Sequence, residues 1–215
     1  VGLGSRGECM IRVERLSEKN FGDFEKLTSC AADGGCYCAF WHGKWSSVEE
    51  WKERERTRPL ENRELIRQKM NFGFHVGVLA YRDDSLLAWI SVGPLTEYYW
   101  TWKRVAKLGE EAGSVAGITC ITIAPEFRSQ KLQGDILRAL GVYGAGLGWK
   151  AIEGYPFETS AYERHGKTVA WPGKVDGFSA AGYTRVDSHW LNHPEWERAI
   201  YRAELGGAGS VAPRA

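Results

Sequence analysis

The sequence has almost no net charge and no long hydrophobic run. Its 28 lysines and arginines nearly balance 27 aspartates and glutamates, so the formal net charge is only +1. This balance gives no electrostatic reason to expect binding to nucleic acid or to an anionic membrane. No apolar stretch approaches the roughly 20 residues that a membrane-spanning helix needs. The first residues also lack the charged segment and apolar core of a secretory signal, so we expect a cytoplasmic protein.

Disulfides are also not indicated, whereas tryptophan is abundant. Five cysteines is an odd number, which argues against a closed disulfide framework and favours a reducing compartment. A length of 215 residues, with 43% hydrophobic and 26% charged residues, is typical of one soluble globular domain. Ten tryptophans suggest an aromatic-lined cleft in addition to a filled core.

Both ends of the chain are rich in glycine and lack periodicity. Residues 1–9 read VGLGSRGEC, and residues 206–215 read GGAGSVAPRA. We therefore predict a flexible extension over 1–9, one domain over 10–205 and a disordered tail over 206–215.

The most informative stretch runs from Gly117 to Gly148. β-Branched residues up to Ile123 predict a buried strand, which Pro125 ends because proline has no N–H for a strand ladder. Apolar residues at helical spacing from Ile136 onwards predict a helix. The polar loop between them is an anion site, because the first N–H groups of a helix are unpaired and its dipole is positive there. A pyrophosphate is the ligand that suits such a loop.

The letters IAPEFR at 123–128, followed by Gln130 and Leu132, resemble the acetyl-CoA-binding motif of the GNAT acyltransferase superfamily. That motif is, roughly, hydrophobic-x-P-x-x-R-x-x-G-x-G/A. The glycines are missing, because Lys131 and Gln133 stand at the two positions and Gly134 follows one place late. Glycine lets a backbone approach a phosphate closely. These two substitutions leave open whether the loop still binds CoA or binds nothing.

A second region of resemblance is the predicted hairpin from Phe74 to Pro94. Two apolar runs flank a turn-like Arg82–Ser85, and Trp89 and Gly93 fit the second and third strands of GNAT proteins. The resemblance implies a single GNAT-like domain of the α/β (α+β) type. Its central sheet should be mixed, mostly antiparallel and flanked by helices.

Further elements follow from periodicity and breakers. We predict further strands at Met10–Leu16, Trp149–Glu158, Tyr183–Asp187 and Ala199–Leu205. Helices are predicted after Ser17, at Val48–Arg58, Leu60–Asn71 and Val175–Tyr183, with a short helix and loop over Lys103–Ser114 and a loop over Thr159–Lys174.

The resemblance implies that acetyl-CoA is the co-substrate and that an amine acceptor attacks its thioester directly. The strand backbone would hold the pantetheine arm and a strand N–H would stabilise the carbonyl oxygen, while the loop would hold the pyrophosphate. The cofactor-binding residues implied in this way are Ile121, Ile123, Arg128, Ser129, Gln130, Lys131, Leu132, Gln133, Gly134 and Asp135.

Catalysis would need a base for the ammonium and an acid for the departing thiolate. Glu153 is the first candidate for the base, because of its place on the strand that borders the cofactor gap, and Glu97 is the second. Many family members use a tyrosine as the acid, but Phe178 stands at that position. Tyr155, Tyr162 or water would replace it.

Aromatic residues suggest where the acceptor binds. The segment Cys30–Trp45 is read in three ways: as a hydrophobic loop on the core, as a lid over the substrate pocket, or as a zinc site of Cys30, Cys36, Cys38 and His42. A zinc site is weakly supported, so no metal is assigned. The candidate substrate residues are Tyr37, Phe40, Trp41, Tyr98 and Trp100.

We therefore predict an acetyl-CoA-dependent N-acetyltransferase acting on a small aromatic or cationic amine, as a monomer or homodimer. A protein N-terminus or lysine as the acceptor stays open. Two other classes stay open as well. One is a catalytically silent CoA- or ligand-binding module of the same fold, and the other is a small zinc-organised interaction protein.

Overall fold

One mixed sheet orders the molecule, and only one of its strand pairs is parallel. The computed structural model describes residues 10–29, 34–165 and 171–206. Its seven strands lie in the order β1-β2-β3-β4-β5-β7-β6. Among the described strands, β4 and β5 are the parallel pair, and every other neighbouring pair is antiparallel. The strands are β1 (Ile11–Arg15), β2 (Val78–Arg82), β3 (Ser85–Pro94), β4 (Val115–Ile123), β5 (Ala151–Gly154), β6 (Thr184–Ser188) and β7 (Ala199–Glu204).

Helices cover both faces of this sheet. They are α1 (Phe21–Ser29), α2 (Val48–Thr57), α3 (Pro59–Asn71), α4 (Trp102–Leu108), α5 (Gln133–Gly146), α6 (Thr159–His165) and α7 (Val175–Ala180). Short 3₁₀ turns, among them Ala39–His42 and Leu95–Glu97, connect several of them. The predicted fold class, with its mixed, mostly antiparallel sheet flanked by helices, is confirmed.

The side chains of β4 are divided between two cores, one on each face of the sheet. Ile118 and Ile121 pack with Leu137 and the rest of the α5 face. Cys120 points the other way and packs with the core that α1 builds around Trp89. The sheet centre is therefore buried on both faces, and a ligand reaches β4 only where neighbouring strands separate.

Two predicted boundaries change. The strand expected over Trp149–Glu158 shrinks to Ala151–Gly154, because Gly148 takes a left-handed φ of +81° before it and the chain turns away from β4 after it. The segment expected as a loop from Thr159 begins instead with α6, whose buried Ala161 packs on Phe157. The loop prediction was wrong there because a short helix is favoured by one tertiary contact that periodicity does not reveal.

The predictions for 1–9 and for all but the first residue of 206–215 lie outside the described residues. Within the described ranges, no helix is both long and apolar enough to cross a bilayer.

Candidate functional site

A gap opens where β4 and β5 part. Their parallel pairing runs from Val115 opposite Ala151 to Ile118 opposite Gly154, and beyond that point β4 continues to Ile123 paired only with β3. On its other edge β4 carries a bulge. Ser91 pairs with Cys120 and Val92 with Ile118, so Thr119 is the extra residue. The bulge at Thr119 therefore directly follows Ile118, the last residue of β4 that pairs with β5. Backbone groups of the second half of β4 are therefore available to something other than a strand.

In the loop after β4, two residues that are not glycine have the positive φ values that glycine usually takes. Ser129 and Lys131 adopt left-handed φ values of +67° and +56°. Such a conformation is unfavourable for a residue with a Cβ atom and is the one that glycine takes most easily. Arg128 braces the loop, since its Nε donates to the Ile123 carbonyl at 3.1 Å. Lys131 therefore occupies a turn whose backbone conformation glycine would favour.

This loop leads exposed polar groups to the start of α5. The side chains from Arg128 to Lys131 are exposed, and Leu132 is buried beneath them. Gly134 allows α5 to approach α7, because a Cβ atom there would lie 3.1 Å from the Cβ of Ala180. Asp135 is paired with Arg138 on the helix surface. Two cations and the N-terminus of a 14-residue helix make the loop suitable for a pyrophosphate.

The gap beside β4 is filled by the chain itself. We call residues Trp171–Lys174 the covering segment. The Ile121 N–H donates to the Trp171 carbonyl at 2.8 Å. Gln133 binds the backbone of Lys174 twice, through its Oε1 at 2.9 Å and its Nε2 at 3.0 Å. The covering segment therefore joins the last half of β4 to the first residue of α5.

Glycine is required in the middle of the covering segment. Gly173 has a φ of +86°, and a Cβ atom there would lie 2.8 Å from the Gln133 Nε2 and 2.9 Å from the Ile121 Cδ1. The ring of Phe178 lies below it and also covers Gly154, where a Cβ atom would be only 2.1 Å from that ring. Phe178 thus lies at the point where β4 and β5 separate, but it has no hydroxyl to donate.

Behind Trp171 lies a buried arginine among aromatic rings. We call Arg198, His189, Trp41, Phe157, Trp171 and Tyr155 the arginine cluster. The Arg198 guanidinium carbon lies 4.8 Å from the Phe157 ring centre and 4.9 Å from that of Trp171. Its Nε and Nη2 donate to the Tyr155 carbonyl at 3.2 and 3.0 Å. Burial lowers the pKa of Arg198 to about 9.

His189 completes this cluster as a neutral donor. Its Nδ1 accepts the Leu191 N–H at 3.1 Å, so the ring proton is on Nε2. That Nε2 is buried and has no hydrogen-bond partner among the described residues. Burial, with the nearby Arg198 charge, lowers the pKa of His189 to about 2.

An open cavity lies on the other side of the 3₁₀ turn that carries Trp41. It encloses about 630 Å³, and its lining residues are His42, Lys69, Phe74, Thr96, Glu97, Tyr98, Tyr99 and Trp102. Glu97 accepts the His75 N–H at 2.7 Å. The ring centres of His42 and Tyr98 are 4.9 Å apart. Neither nitrogen of His42 has a partner among the described residues, and burial lowers the pKa of His42 to about 3.

Tyr98 links the cavity to the bulge and to the arginine cluster. Its buried hydroxyl lies near the hydroxyls of Ser91 and Thr119, which are 2.8 Å from each other, without a hydrogen bond of standard geometry. Its hydroxyl lies 3.5 Å from where a Cβ of Gly93 would be, and the Tyr155 hydroxyl lies 2.9 Å from that position of the paired Gly117. Burial raises the pKa of both tyrosines.

The two carboxylates considered as the base have different environments. Glu153 is fully buried and is bound by Arg104, whose Nε lies 3.0 Å away, and by Arg202, whose Nη1 lies 3.3 Å away. The Tyr155 hydroxyl is directed at Glu153 too, 3.4 Å from its Oε2. Glu97, by contrast, is partly exposed in the cavity. Two guanidinium groups hold Glu153 in an ion-pair network, whereas the Glu97 carboxylate can be reached from the cavity.

The candidate substrate residues divide between core and site. Tyr98 lines the cavity and Trp41 belongs to the arginine cluster. Tyr37, Phe40 and Trp100 pack against the α1-side core, and the rings of the last two stack 5.6 Å apart. Tyr162 contacts Lys174 through its ring at 4.5 Å.

Cys36 and Cys38 form a thiol cluster with Cys120 of β4. Cys38 is buried, its Sγ accepts the Trp89 Nε1–H at 3.3 Å, and contacts with Cys120 and Cys36 together with burial raise its pKa. Cys30, which the zinc hypothesis needs, lies outside the described residues. Across the described ranges no group of three His, Cys, Asp or Glu side chains could hold a metal.

Sequence analysis missed Arg198, His189 and the role of His42 in the cavity. Trp171 was noted only as part of a loop. No spacing marks these residues, because they come from four separate segments. The one signal is compositional, since tryptophans cluster on either side of the unassigned stretch after Thr159.

Comparison with known proteins gives matches in structure alone. No protein-family model matches the sequence, and no curated protein sequence matches it. A crystal structure of the aminoglycoside acetyltransferase AAC(6')-Ib in complex with coenzyme A is similar, with a TM-score of 0.54 and 11% identity over 90% of this chain and 94% of that one.

Two further similar structures come from other organisms. A GNAT-family acetyltransferase from Bacillus cereus has a TM-score of 0.53 and 11% identity, over 92% of this chain and 99% of that one. The ribosomal-protein-S18-alanine N-acetyltransferase from Escherichia coli has a TM-score of 0.50 and 9% identity, over 94% and 97%. The chain has the GNAT fold. At these identities the likeness shows the fold and leaves the activity to be argued from the site.

Proposed function

We propose that this chain is an acetyl-CoA-dependent N-acetyltransferase in which an amine attacks the thioester directly. The observation that carries the proposal is the unit formed by β4, its loop and α5. In it, the strands part after Ile118, and Lys131 preserves a left-handed turn before an open helix N-terminus. The similar structures include a complex with coenzyme A, which supports acetyl-CoA as the co-substrate.

The residues present suit such a ligand. Exposed Arg128 and Lys131 offer charge to a pyrophosphate, and the loop and first helical N–H groups offer hydrogen bonds. Ile121 and Ile123 offer to the pantetheine arm the edge of β4 that faces away from β3, where β5 no longer pairs with it. Since the Ile121 N–H is occupied by Trp171, the covering segment must leave β4 for this arrangement to form.

For the acceptor we propose entry through the cavity beside Glu97. A carboxylate there can take a proton from an ammonium group, and the aromatic lining suits a cationic or aromatic amine. Tyr155 and Tyr162 remain the proposed acids, although the Tyr155 hydroxyl is directed at Glu153. We propose a cytoplasmic monomer or homodimer.

One observation favours a second candidate, a ligand-binding module without transferase activity. Gln133 stands at a glycine or alanine position of the motif and holds the covering segment in the gap. In this candidate the covering segment stays bound to β4, or acetyl-CoA binds but its acetyl group is not transferred.

The test is thermal unfolding with saturating acetyl-CoA, followed by thiol release with a panel of amines. A ligand at 100 times its Kd adds about 2.7 kcal/mol, or about 5–10 °C for a chain of this length. Such a shift with thiol release supports the transferase. A shift without thiol release for any amine supports the silent module, and no shift at millimolar acetyl-CoA refutes both CoA-binding proposals.

A further inference from the structure

Among the described residues the Arg198 guanidinium has no counter-ion, unlike Arg104, the other buried arginine, and the half-buried Arg202. Arg104 and Arg202 both pair with Glu153. Arg198 is buried to a similar degree but forms no ion pair with any described residue, and the undescribed stretch 166–170 contains no acidic residue. A buried charge is costly unless it is paired. Arg198 therefore has the electrostatics of a site that is completed by an anion.

The hydrogen-bonding capacity of Arg198 is only partly used. Its five N–H donors include two that share a single acceptor, the Tyr155 carbonyl. Glu158 and Glu197 line a polar pocket of about 340 Å³ with Arg198, but neither forms an ion pair with it; one oxygen of Glu158 accepts from Arg185 and one of Glu197 from Ser160. The Arg198 guanidinium instead contacts the rings of Phe157 and Trp171. These contacts fix the orientation of the guanidinium and supply no formal negative charge.

His189 gives independent support. Its Nε2–H is a buried donor without an acceptor among the described residues. Its ring lies 6.4 Å from Trp41 and 5.2 Å from Tyr155, and its pKa responds to the Arg198 charge. A buried donor without an acceptor and a buried cation without a counter-ion, both judged among the described residues, thus lie in one cluster. An oxyanion satisfies both kinds of donor, whereas an ammonium group satisfies neither.

The covering segment separates this cluster from the cofactor gap. Trp171 stacks over Arg198 with its ring and occupies Ile121 with its carbonyl. A pantetheine arm that takes the Ile121 N–H removes the Trp171 carbonyl from it. The same movement takes the ring away from the guanidinium.

We propose that Arg198, with His189, is a carboxylate-binding site for the acceptor, which Trp171 covers until the covering segment leaves β4. As a statement about the acceptor, it rests on the proposed transferase function and assigns to it amines that carry a carboxylate, such as amino acids. The cavity admits the amine, and Tyr98 and Tyr155, whose hydroxyls lie over the paired Gly93 and Gly117, connect the cavity to the cluster.

The first experiment needs no acetyl-CoA. Trp171→Ala removes the ring that covers Arg198, and the full chain is then scanned by thermal unfolding with phenylacetate or with its neutral isostere phenylacetamide. We expect phenylacetate to bind the variant about 10- to 100-fold more tightly than phenylacetamide does, because charge-assisted hydrogen bonds add that much. The unsubstituted chain should show little preference. The double variant with Arg198→Met should lose it.

Trp102→Ala is the matched control, since it removes an exposed tryptophan at the cavity without uncovering Arg198. If Trp171→Ala shows no preference for phenylacetate, the proposal is overturned. Should Arg198→Met fail to fold, Arg198→Lys keeps the charge but not the two-pronged donor, and a reduced preference is the supporting result.

The second experiment uses the unsubstituted protein with acetyl-CoA. We expect kcat/KM for phenylalanine to exceed that for phenethylamine, its decarboxylated analogue, by about 10- to 100-fold. Equal rates together with no preference in Trp171→Ala would overturn the inference and leave the transferase standing. No turnover of any amine, with phenylacetate still bound by Trp171→Ala, would refute the transferase and leave an anion site at Arg198.

Discussion

The backbone N–H of Ile121 donates to the carbonyl of Trp171 at 2.8 Å, so a residue 50 positions away occupies the strand edge that the motif would offer to a cofactor. An edge N–H left without a partner in a closed interior would be costly, and Trp171 satisfies it. The same contact makes cofactor binding a competition within the chain. The following predictions test that competition and the roles assigned around it.

Gln133→Ala should strengthen acetyl-CoA binding. The substitution removes two hydrogen bonds to Lys174 and installs a residue type that the motif carries at this position. Net hydrogen bonds of about 1 kcal/mol each imply a Kd about 3- to 30-fold lower. Isothermal titration measures the change. Gln68→Ala is the control, because that exposed side chain lies on α3 and bonds Glu64 on the same helix, at 3.3 Å. Equal or weaker binding by Gln133→Ala would contradict the occlusion of the gap.

Lys131→Gly should stabilise the folded protein. Its φ of +56° is unfavourable for lysine and accessible to glycine, so relief of strain of about 1–2 kcal/mol exceeds the added entropy of the unfolded chain. We expect a net gain of about 0.5–1 kcal/mol in the free energy of unfolding, measured in urea. Gln130→Gly, at a residue without positive φ, should lose a similar amount. The same sign for both variants would show that backbone strain at 131 is negligible.

Glu97→Gln and Glu153→Gln should separate catalysis from stability. Without its charge, Glu153 no longer compensates Arg104 and Arg202 in the interior, although Asp187, Glu111 and Glu204 still pair with them from the surface. We expect a loss of about 3 kcal/mol in the free energy of unfolding. Glu97 is partly exposed, and an amide oxygen can still accept the His75 N–H. Glu97→Gln should therefore fold normally but lower kcat about 100- to 10,000-fold. Full activity in Glu97→Gln would assign the base elsewhere.

The protein should lose stability below neutral pH because of two buried histidines. Burial lowers the pKa of His42 to about 3 and of His189 to about 2, against about 6.5 in the unfolded chain. The unfolded state alone takes up protons below pH 6.5, so the stabilisation is complete above that value and falls towards pH 3. From pH 7.5 to 5.5 each histidine should contribute a loss of about 1.4 kcal/mol.

Urea unfolding of His42→Gln at both pH values checks this dependence. The difference between the two values should shrink by about 1.4 kcal/mol, whatever the stability of the variant at pH 7.5. The exposed His193 provides the control, since His193→Gln should leave the difference unchanged. An undiminished difference in His42→Gln would mean that His42 is not the group that titrates.

Local sequence determined a large part of this protein. The period-two run into Pro125 specified β4, the helical spacing after it specified α5, and the polar loop between them specified an anion site at a helix N-terminus. These features are local, because each depends on residues a few positions apart. The hairpin of β2 and β3 was also predictable from its two apolar runs and the turn between them. The resemblance of these two stretches to GNAT proteins was sufficient to predict the mixed sheet.

Only the tertiary structure decided what lies around that unit. Glu153 was placed correctly on the strand bordering the gap, yet Arg104 and Arg202, from other elements, bind it in an ion-pair network. Trp171, Arg198 and His189 meet Trp41 from segments far apart in the chain, so no spacing could group them. Charge compensation and burial are properties of such long-range contacts. For that reason the sequence predicted a cofactor loop, and the fold alone revealed the covering segment and the unpaired guanidinium behind it.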